Sequence, residues 1–147
     1  MEAGYWALFF ACFLAATIVP FSSEAILSGM LIGGFNPIAS LLVATMGNWL
    51  GGMSSYAIGR IGKVEWIHRW LRISDKSLSK VTDRITGKEG WIALLCWLPF
   101  IGDVIAVALG LLRARIGVTA IGMLVGKALR YVVWGYATLE AMHYFNA

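Results

Sequence analysis

PFSSEAI at residues 20–26 and PFIGDVI at residues 99–105 share one pattern, Pro-Phe-x-x-acid-x-Ile, and each lies inside an otherwise apolar run. A carboxylate in hydrocarbon is costly, and acidic residues inside a membrane usually mark functional sites. The two acids of the pattern, Glu24 and Asp103, are therefore the first candidate site residues.

The same register of 79 residues continues outward from the two motifs. The matched positions are Ser40 with Thr119, Gly47 with Gly126, Asn48 with Lys127, and Leu50 with Leu129. Apolar sequences match one another easily, so most of the weight rests on the shared proline and acid. The register predicts an internal duplication of the chain.

Composition places this chain in a membrane. Hydrophobic residues make up 59% of the 147 residues, charged residues make up 14%, and the mean hydropathy is +0.75, which lies outside the range of soluble domains of this size. Apolar runs cover residues 4–34, 37–59, 91–112 and 116–139. At about 1.5 Å per residue, each of the last three can cross a core of about 30 Å. The sequence predicts a single all-α integral membrane domain over residues 1–147.

The two prolines of the pattern, Pro20 and Pro99, are predicted to break their apolar runs, because proline removes a backbone donor and clashes with the preceding helical turn. Broken backbone is tolerated in a membrane only where protein or a water-filled cavity encloses it. Ser22, Ser23 and Gly102 offer hydroxyls or close backbone approach at these breaks. Two helices broken at equivalent positions are typical of transporters built from repeats.

The predicted topology is an inverted repeat. Each repeat has a Pro-broken re-entrant helical hairpin followed by one full transmembrane helix, with repeat 1 over about residues 4–60 and repeat 2 over about residues 91–140. An odd number of crossings per repeat inverts the second repeat, so the hairpins dip in from opposite faces and bring Glu24 and Asp103 together near the midplane. Both chain ends then lie outside. A plain four-crossing topology, with both ends inside, is the alternative.

Charge is concentrated between the repeats, in a loop over about residues 61–90. Eight of the twelve Lys and Arg residues lie between Arg60 and Lys88, so the positive-inside rule places this loop in the cytoplasm. Apolar residues at helical spacing predict an amphipathic helix in the headgroup layer; they are Trp66, Ile67, Trp70 and Leu71. Asp75 is predicted to cap a second helix. The loop either sets orientation alone or recognises acidic lipid, and a net charge of +4 explained by topology gives no reason to expect nucleic acid.

Residues 47–62, GNWLGGMSSYAIGRIG, resemble the signature of the DedA membrane proteins, also called SNARE-associated or VTT domain proteins. The matching residues of the signature are Gly47, Gly51, Tyr56, Gly59 and Arg60. Residues 87–111 are similar to the family's second re-entrant segment, and the resemblance spans about residues 15–135 of a chain as short as the compact branch of the family. It implies an inverted repeat with facing re-entrant segments that moves lipid headgroups, of phospholipids or polyprenyl phosphates, across the bilayer with dependence on the proton gradient.

Two parts of the signature also have plain structural interpretations. Gly47 and Gly51 make a small-x-x-x-small face for close helix packing. Tyr56 and Arg60, four residues apart, predict either an anchor at the cytoplasmic interface or a contact with a lipid headgroup.

The resemblance assigns Glu24 to the place of the family's first membrane-embedded acid. Two departures stand out: the acid that many members carry after the second signature glycine is Gly52 here, and the arginines beside the family's second Pro motif are Cys96 and Gly102. Arginine clamps a phosphate through two parallel hydrogen bonds, so a cargo with phosphate alone is disfavoured. Glu24 and Asp103 suit a cationic headgroup or a proton instead.

Lys127 and Arg130 are basic residues of the last apolar run and lie one helical turn apart. They are predicted to pair with an acid or to hold the phosphate of a zwitterionic lipid. The structural alternative is that one of them forms, with Asp103, a buried ion pair that locks the fold. The whole predicted substrate and proton site comprises Glu24, Asp103, Ser22, Ser23, Asn48, Lys127 and Arg130.

The sequence thus predicts a transporter of lipid headgroups, proton-coupled through Glu24 or Asp103, in a bacterial inner membrane. Membrane lipids and protons are the expected partners, and the small size favours a homodimer. A small proton-coupled cation or drug antiporter and a noncatalytic membrane assembly protein are the alternatives. No enzyme, cofactor or metal site is expected, because the sequence has no Ser-Lys, Cys-His or metal-ligand spacing.

Overall fold

The structure is a computed structural model that describes residues 2–16, 23–62, 83, 87–97 and 101–146, without the side chains of residues 97, 101, 103 and 104. Several predicted features lie outside the described residues: Pro20, Ser22, Pro99, the side chain of Asp103 and both predicted helices of the charged loop.

The described part of the chain is all-helical, as predicted. The helices are α1 (Glu2–Ala15), α2 (Ser23–Ile32), α3 (Pro37–Ile61), α4 (Glu89–Leu94), α5 (Ile101–Leu111) and α6 (Ile116–Asn146), with a 3-10 turn at Leu95–Trp97 after α4. α3 begins at Pro37, whose fixed backbone angle suits the first helical position. The side chain of Asn36 accepts a hydrogen bond from the N–H of Ala39 at 3.1 Å and caps the same helix.

Two helices differ in how well they suit a membrane crossing. Within the described residues, α6 is the one helix long and apolar enough to cross by length and composition, with 31 residues. α3 has 25 residues, enough for a core of about 30 Å at about 1.5 Å per residue. Its hydropathy is lowered by buried polar residues, which are Ser40, Thr45, Asn48 and Ser55. Composition and length therefore support α6 as a transmembrane helix. α3 is long enough to cross, and the buried polar residues on its inner face explain why its composition is less apolar.

Two pairs of short helices each begin and end at the same end of the molecule. α1 and α2 have 14 and 10 residues, fewer than the roughly 20 that a crossing needs. The start of α1 lies beside the end of α2, where the rings of Tyr5 and Phe35 meet edge to face with centroids 5.4 Å apart. In the second pair, Arg115, which follows α5, lies 3.4 Å from Glu89 at the start of α4.

Glycines bring α1 into direct contact with the backbone of α3. A Cβ at Gly47 would collide with the carbonyl oxygen of Phe9, and a Cβ at Gly51 with that of Phe13. Small residues of this kind allow helix backbones to approach closely. Because the two contacts advance together along both helices, α1 and α3 run parallel. α4 packs on α6 in the same manner, through Gly126.

α3 and α6 run antiparallel through the centre of the molecule. Leu41, near the start of α3, lies against Gly135 in the second half of α6, whereas Gly52 lies against Met123 in its first half. Two apolar clusters fill the space around these helices. The first comprises Leu8, Cys12, Leu27, Met30, Leu31, Ala44 and Tyr131, and the second comprises Tyr56, Ala93, Cys96, Ala106, Leu109, Ala114 and Met123.

The chain turns in the same way before α3 and before α6, at positions 79 residues apart. Gly34 (φ +86°) and Arg113 (φ +54°) both have a left-handed backbone. In each turn the N–H of the next residue reaches the carbonyl five residues earlier, at 3.1 Å in the first turn and 2.9 Å in the second. The left-handed conformation costs a residue with a Cβ about 1–2 kcal/mol, and Arg113 adopts it nonetheless.

Candidate functional site

An ion pair joins α2 to α6. The Nη2 atom of Arg130 contacts the Oε1 atom of Glu24, and the two side chains are 16% and 15% exposed. Glu24 lies in the first turn of α2, where the positive end of the helix dipole stabilises a carboxylate. Charges of both signs are thus held close together in a largely enclosed position, where each needs its partner to offset the loss of solvation.

A buried hydrogen bond supports this ion pair on its inner side. The hydroxyls of Ser23 and Tyr131 lie 2.8 Å apart, and both residues are fully buried. The Ser23 hydroxyl also donates to Oε2 of Glu24 at 3.4 Å. Arg130 and Tyr131 are neighbours in α6, and they contact Glu24 and Ser23, the first two residues of α2. These contacts fix the start of α2 against α6.

Asn48 and Lys127 connect α3 to α6 one helical turn from Arg130. The Nζ atom of Lys127 donates to Oδ1 of Asn48, and the Asn48 amide donates to the carbonyl of Cys12 at 3.0 Å. Both side chains are buried. Gly52 leaves room for the lysine stem, because a Cβ there would lie 2.9 Å from Lys127 Cε. The two residues hold matched positions of the 79-residue register, so matched positions of the chain touch each other.

The structure brings five of the predicted substrate and proton residues into one polar cluster, which we call the central cluster: Ser23, Glu24, Asn48, Lys127 and Arg130. Ser22 and the side chain of Asp103 lie outside the described residues. Arg130 was expected to pair with an acid or to hold a phosphate, and in the structure it pairs with Glu24 because the N-terminus of α2 lies directly beside α6. A pair of Lys127 or Arg130 with Asp103 stays a prediction, since the side chain of Asp103 is outside the described residues.

The signature residues Tyr56 and Arg60 hold the turn between α5 and α6. The Tyr56 hydroxyl, which is buried, donates to the carbonyl of Ala114. Arg60 Nη1 donates to the Tyr56 hydroxyl at 2.8 Å and approaches the same carbonyl at 3.4 Å. Gly59 lies between them against the carbonyl of Val107. These contacts give the three residues a structural role at the end of α3.

The sequence analysis did not identify four polar or aromatic residues that lie near the central cluster. Ser28 and Thr138 hydroxyls lie 3.0 Å apart, Trp134 Nε1 donates to the Ser28 hydroxyl at 2.8 Å, and Tyr131 bonds Ser23. A helical step of four residues from Glu24 leads to Ser28, and the same step from Arg130 leads to Trp134. That spacing was the available signal.

A groove lies between α2 and the second half of α6, with a volume of about 750 Å³. Its lining includes Ser28, Ile32, Trp134, Thr138, Met142 and Phe145. The floor is polar, because it contains the hydroxyls of Ser28 and Thr138, and the flanks are apolar. We refer to it as the α2–α6 groove.

Within the described part of the chain, two buried hydroxyls lack a hydrogen-bond partner, and they too occupy matched positions. They are Ser40 Oγ in α3 and Thr119 Oγ1 in α6, both on fully buried residues. Each lies in the first turns of its helix, on the face that carries Asn48 or Lys127 eight residues later.

Exposed charges differ between the two ends of the described structure. Arg60, Lys88, Arg113 and Arg115 lie at the end formed by the start of α4 and the turn before α6. Glu89 lies there too, and a hydrogen bond from its own backbone N–H, aided by Arg115, holds the pKa of this carboxyl below its usual value. Among the described residues, no group of three or more His, Cys, Asp or Glu side chains is placed to hold a metal ion.

Comparison with known proteins gives one family match and several relatives. The VTT domain family model matches residues 19–139. "Inner membrane protein YqaA" of Escherichia coli is 34% identical over 142 residues, which cover 96% of this chain and 95% of the relative. The protein of the same name from Shigella flexneri gives the same values. An uncharacterized protein of Haemophilus influenzae is 33% identical over 134 residues, covering 85% of this chain and 81% of its own length.

Only a location can be taken from the names of these relatives. Two are called inner membrane proteins, which supports a bacterial inner membrane location for this chain. No solved structure matches it.

Proposed function

The chain belongs to the VTT domain family, and from this membership we propose that it is an integral membrane transporter that moves phospholipid headgroups across the bilayer. The observation that carries the proposal is the Glu24–Arg130 ion pair, held at the N-terminus of a short helix inside an otherwise apolar helical chain.

The proposed architecture is an inverted repeat with two re-entrant hairpins. The matched turns before α3 and α6, the antiparallel course of these two helices and the matched contact of Asn48 with Lys127 all support it. The two pairs of short helices, which begin and end at the same end of the molecule, then form the hairpins. On this proposal the breaks of the hairpins have to be enclosed by protein or by a water-filled cavity, as irregular backbone in a membrane requires.

The contact of Asn48 with Lys127 marks the centre of the proposed repeat, because matched positions meet only near the axis that relates the two halves. Half of a 30 Å core corresponds to about ten helical residues, so the core extends over about residues 38–58 of α3 and about residues 117–137 of α6. The last turns of α6 then lie in the headgroup layer, where Tyr144 and Phe145, 80% and 84% exposed, suit an interface. The basic end faces the cytoplasm under the positive-inside rule.

The ion pair matches a zwitterionic headgroup in charge. On our proposal Arg130 binds the phosphate, for which a guanidinium is the geometric match, and Glu24 binds the ammonium group. Each lipid charge replaces one partner of the existing pair, so neither side chain is left as an uncompensated charge during the exchange. Along α6, Arg130 lies only about 4.5 Å from the proposed centre, so the site is reachable from both leaflets.

Proton coupling acts through Glu24 in this proposal. Protonation of Glu24 removes the negative charge that binds the ammonium group, so a lower pH disfavours headgroup capture and favours release. A drug antiporter, by contrast, needs a carboxylate open to the cargo cation, and Glu24 already has a guanidinium partner. The pair therefore favours a cargo that carries both charges.

The test is the quenching of fluorescent phosphatidylethanolamine by dithionite in proteoliposomes with matched amounts of protein. We expect wild type to expose inner-leaflet lipid to the quencher, and Glu24→Gln or Arg130→Gln to slow this exposure more than tenfold, since loss of one partner of such a pair costs about 2–5 kcal/mol. Glu140→Gln, at an exposed position of α6, is the matched control and should behave as wild type.

Two results would count against the proposal. Wild-type quenching no greater than in empty liposomes would exclude phosphatidylethanolamine as cargo. Equal rates in wild type and both site variants would remove the ion pair from the mechanism. For coupling, the wild-type rate should fall as pH falls through the pKa of Glu24, and the slow rate of Glu24→Gln should show no such fall.

A further inference from the structure

The α2–α6 groove begins where the Glu24–Arg130 pair ends. Ser28 lies one helical turn after Glu24, and Trp134 lies one turn after Arg130. The hydrogen bond of 2.8 Å from Trp134 Nε1 to the Ser28 hydroxyl links the two helices at this level. The ion pair and the groove thus form one continuous strip, charged at its inner end.

Beyond the hydroxyls of Ser28 and Thr138 the lining of the groove is mostly apolar, with Asn146 as a polar residue at its far end. Ile32, at the end of α2, is 65% exposed, and Phe145, near the end of α6, is 84% exposed. The volume of about 750 Å³ falls within the roughly 300–1,000 Å³ of typical small-molecule sites. A site with paired charges at one end and an open apolar channel beyond them has the polarity of a phospholipid.

We infer that the α2–α6 groove holds one acyl chain of a phospholipid whose headgroup engages the Glu24–Arg130 pair. The inference rests on the proposed function and names the part of the cargo that the ion pair leaves unbound. The groove spans the depth between the proposed centre of the core and the headgroup layer at the end of α6, so the lipid comes from the leaflet on that side.

In the 79-residue register, the contact between α3 and α5 corresponds to the contact between α2 and α6. It leaves no room for a second acyl chain. A Cβ at Gly59 would collide with the carbonyl of Val107, and one at Gly110 with the carbonyl of Tyr56. The backbones touch there. Among the described residues, the groove between α2 and α6 therefore has no counterpart between α3 and α5.

The inference is tested by filling the groove and counting bound lipid. Ala137→Trp and Ala141→Trp add large side chains to its lining, and Val132→Trp adds the same side chain on the opposite face of α6, where Val132 is 51% exposed. Native mass spectrometry of protein in mild detergent with phosphatidylethanolamine should find one bound lipid in wild type and Val132→Trp. Retention should fall more than tenfold in the two filled variants, that is, by more than about 1.4 kcal/mol.

Equal retention in all four proteins would overturn the inference. So would a wild-type dimer that dissociates when the groove is filled, because a second copy would then be the occupant. Should neither filled variant fold, as judged by circular dichroism, a wild type with no bound lipid overturns it and a wild type with one supports it. Lipid retention needs no transport, so retention that depends on the groove in a wild type that moves no lipid would overturn the proposed function alone.

Discussion

The seam between α2 and α6 and the seam between α3 and α5 occupy matched positions of the chain, yet they are closed by different chemistry. In the first, the hydroxyls of Ser28 and Thr138 meet at 3.0 Å and a groove lies open beside them. In the second, the matched residues are Val107 and Gly59, and the backbones touch because Gly59 has no side chain.

This contrast extends to the charged residues. Glu24 pairs with Arg130 across the α2–α6 seam, whereas the position matched with Arg130 is Gly51, which packs on α1. One half of the molecule therefore has an arginine where the other has a glycine that closes a helix contact. Two halves with the same backbone path can therefore differ in how their helices pack: one contact is closed by glycine, and the other is polar and accessible.

The largest expected effect comes from giving the α3–α5 seam a side chain. Gly110→Ala places a Cβ against the carbonyl of Tyr56, and because neither backbone can move cheaply we expect a loss of about 3 kcal/mol or more. Gly29→Ala in α2, with nothing within 4 Å of the new Cβ, is the matched control and should gain about 0.5–1 kcal/mol. Thermal unfolding in detergent measures both. Similar losses for the two variants would show that the close contact of Gly110 with Tyr56 is not the cause of the loss.

The next effect concerns the polar seam. Glu24→Gln or Arg130→Gln alone should lower the free energy of unfolding by about 3 kcal/mol, because each leaves one enclosed charge without its partner. The double variant should lose much less than the sum of the single losses. Unfolding of the four proteins under one condition gives the coupling energy. Strictly additive losses would mean that the two side chains do not stabilise each other.

A smaller effect is expected at the N-termini of α3 and α6, where the loss of one side chain should cost different amounts of stability. Asn36 caps α3 through the N–H of Ala39, and the matched residue before α6 is Arg115, whose side chain pairs with Glu89 instead. We expect Asn36→Ala to cost about 1 kcal/mol and Arg115→Ala to cost less than about 0.5 kcal/mol, since its side chain is exposed. Chemical denaturation resolves the difference, and the reverse order would contradict the assigned cap.

The smallest effect is a pH dependence at the basic end. The bond from its own backbone N–H, with Arg115 as a further partner, holds the pKa of Glu89 below the usual 4.5. A lowered pKa stabilises the fold fully above about 4.5, and this contribution is lost as pH falls through the lowered value. Glu89→Gln should therefore lose less stability than wild type between neutral pH and about pH 3. Tm measured over this range is the readout, with Glu140→Gln as the control; identical pH profiles for Glu89→Gln and wild type would refute the contribution.

The sequence predicted helix content, the family and most of the central cluster because these depend on local pattern. The acid at Glu24 was visible in a repeated motif, and the glycines of α3 in a small-residue face. What it missed depends on how distant helices are oriented. Tyr131 reaches Ser23 across 108 residues, and the groove exists because one face of α6, carrying Trp134 and Thr138, happens to meet α2. No local periodicity specifies which face of α6 that is.

The contact of Asn48 with Lys127 also bears on the ancestry of the chain. A homodimer of half-length chains presents the same residue on both sides of its twofold axis. Two lysines at that place would repel each other inside the protein, and two asparagines would carry no charge. In the inverted repeat that we propose, the mixed pair requires two positions that mutate separately, which a homodimer of one half-length chain does not have. The mixed pair is then younger than the duplication, and the ancestral half-chain had a residue there that tolerates itself.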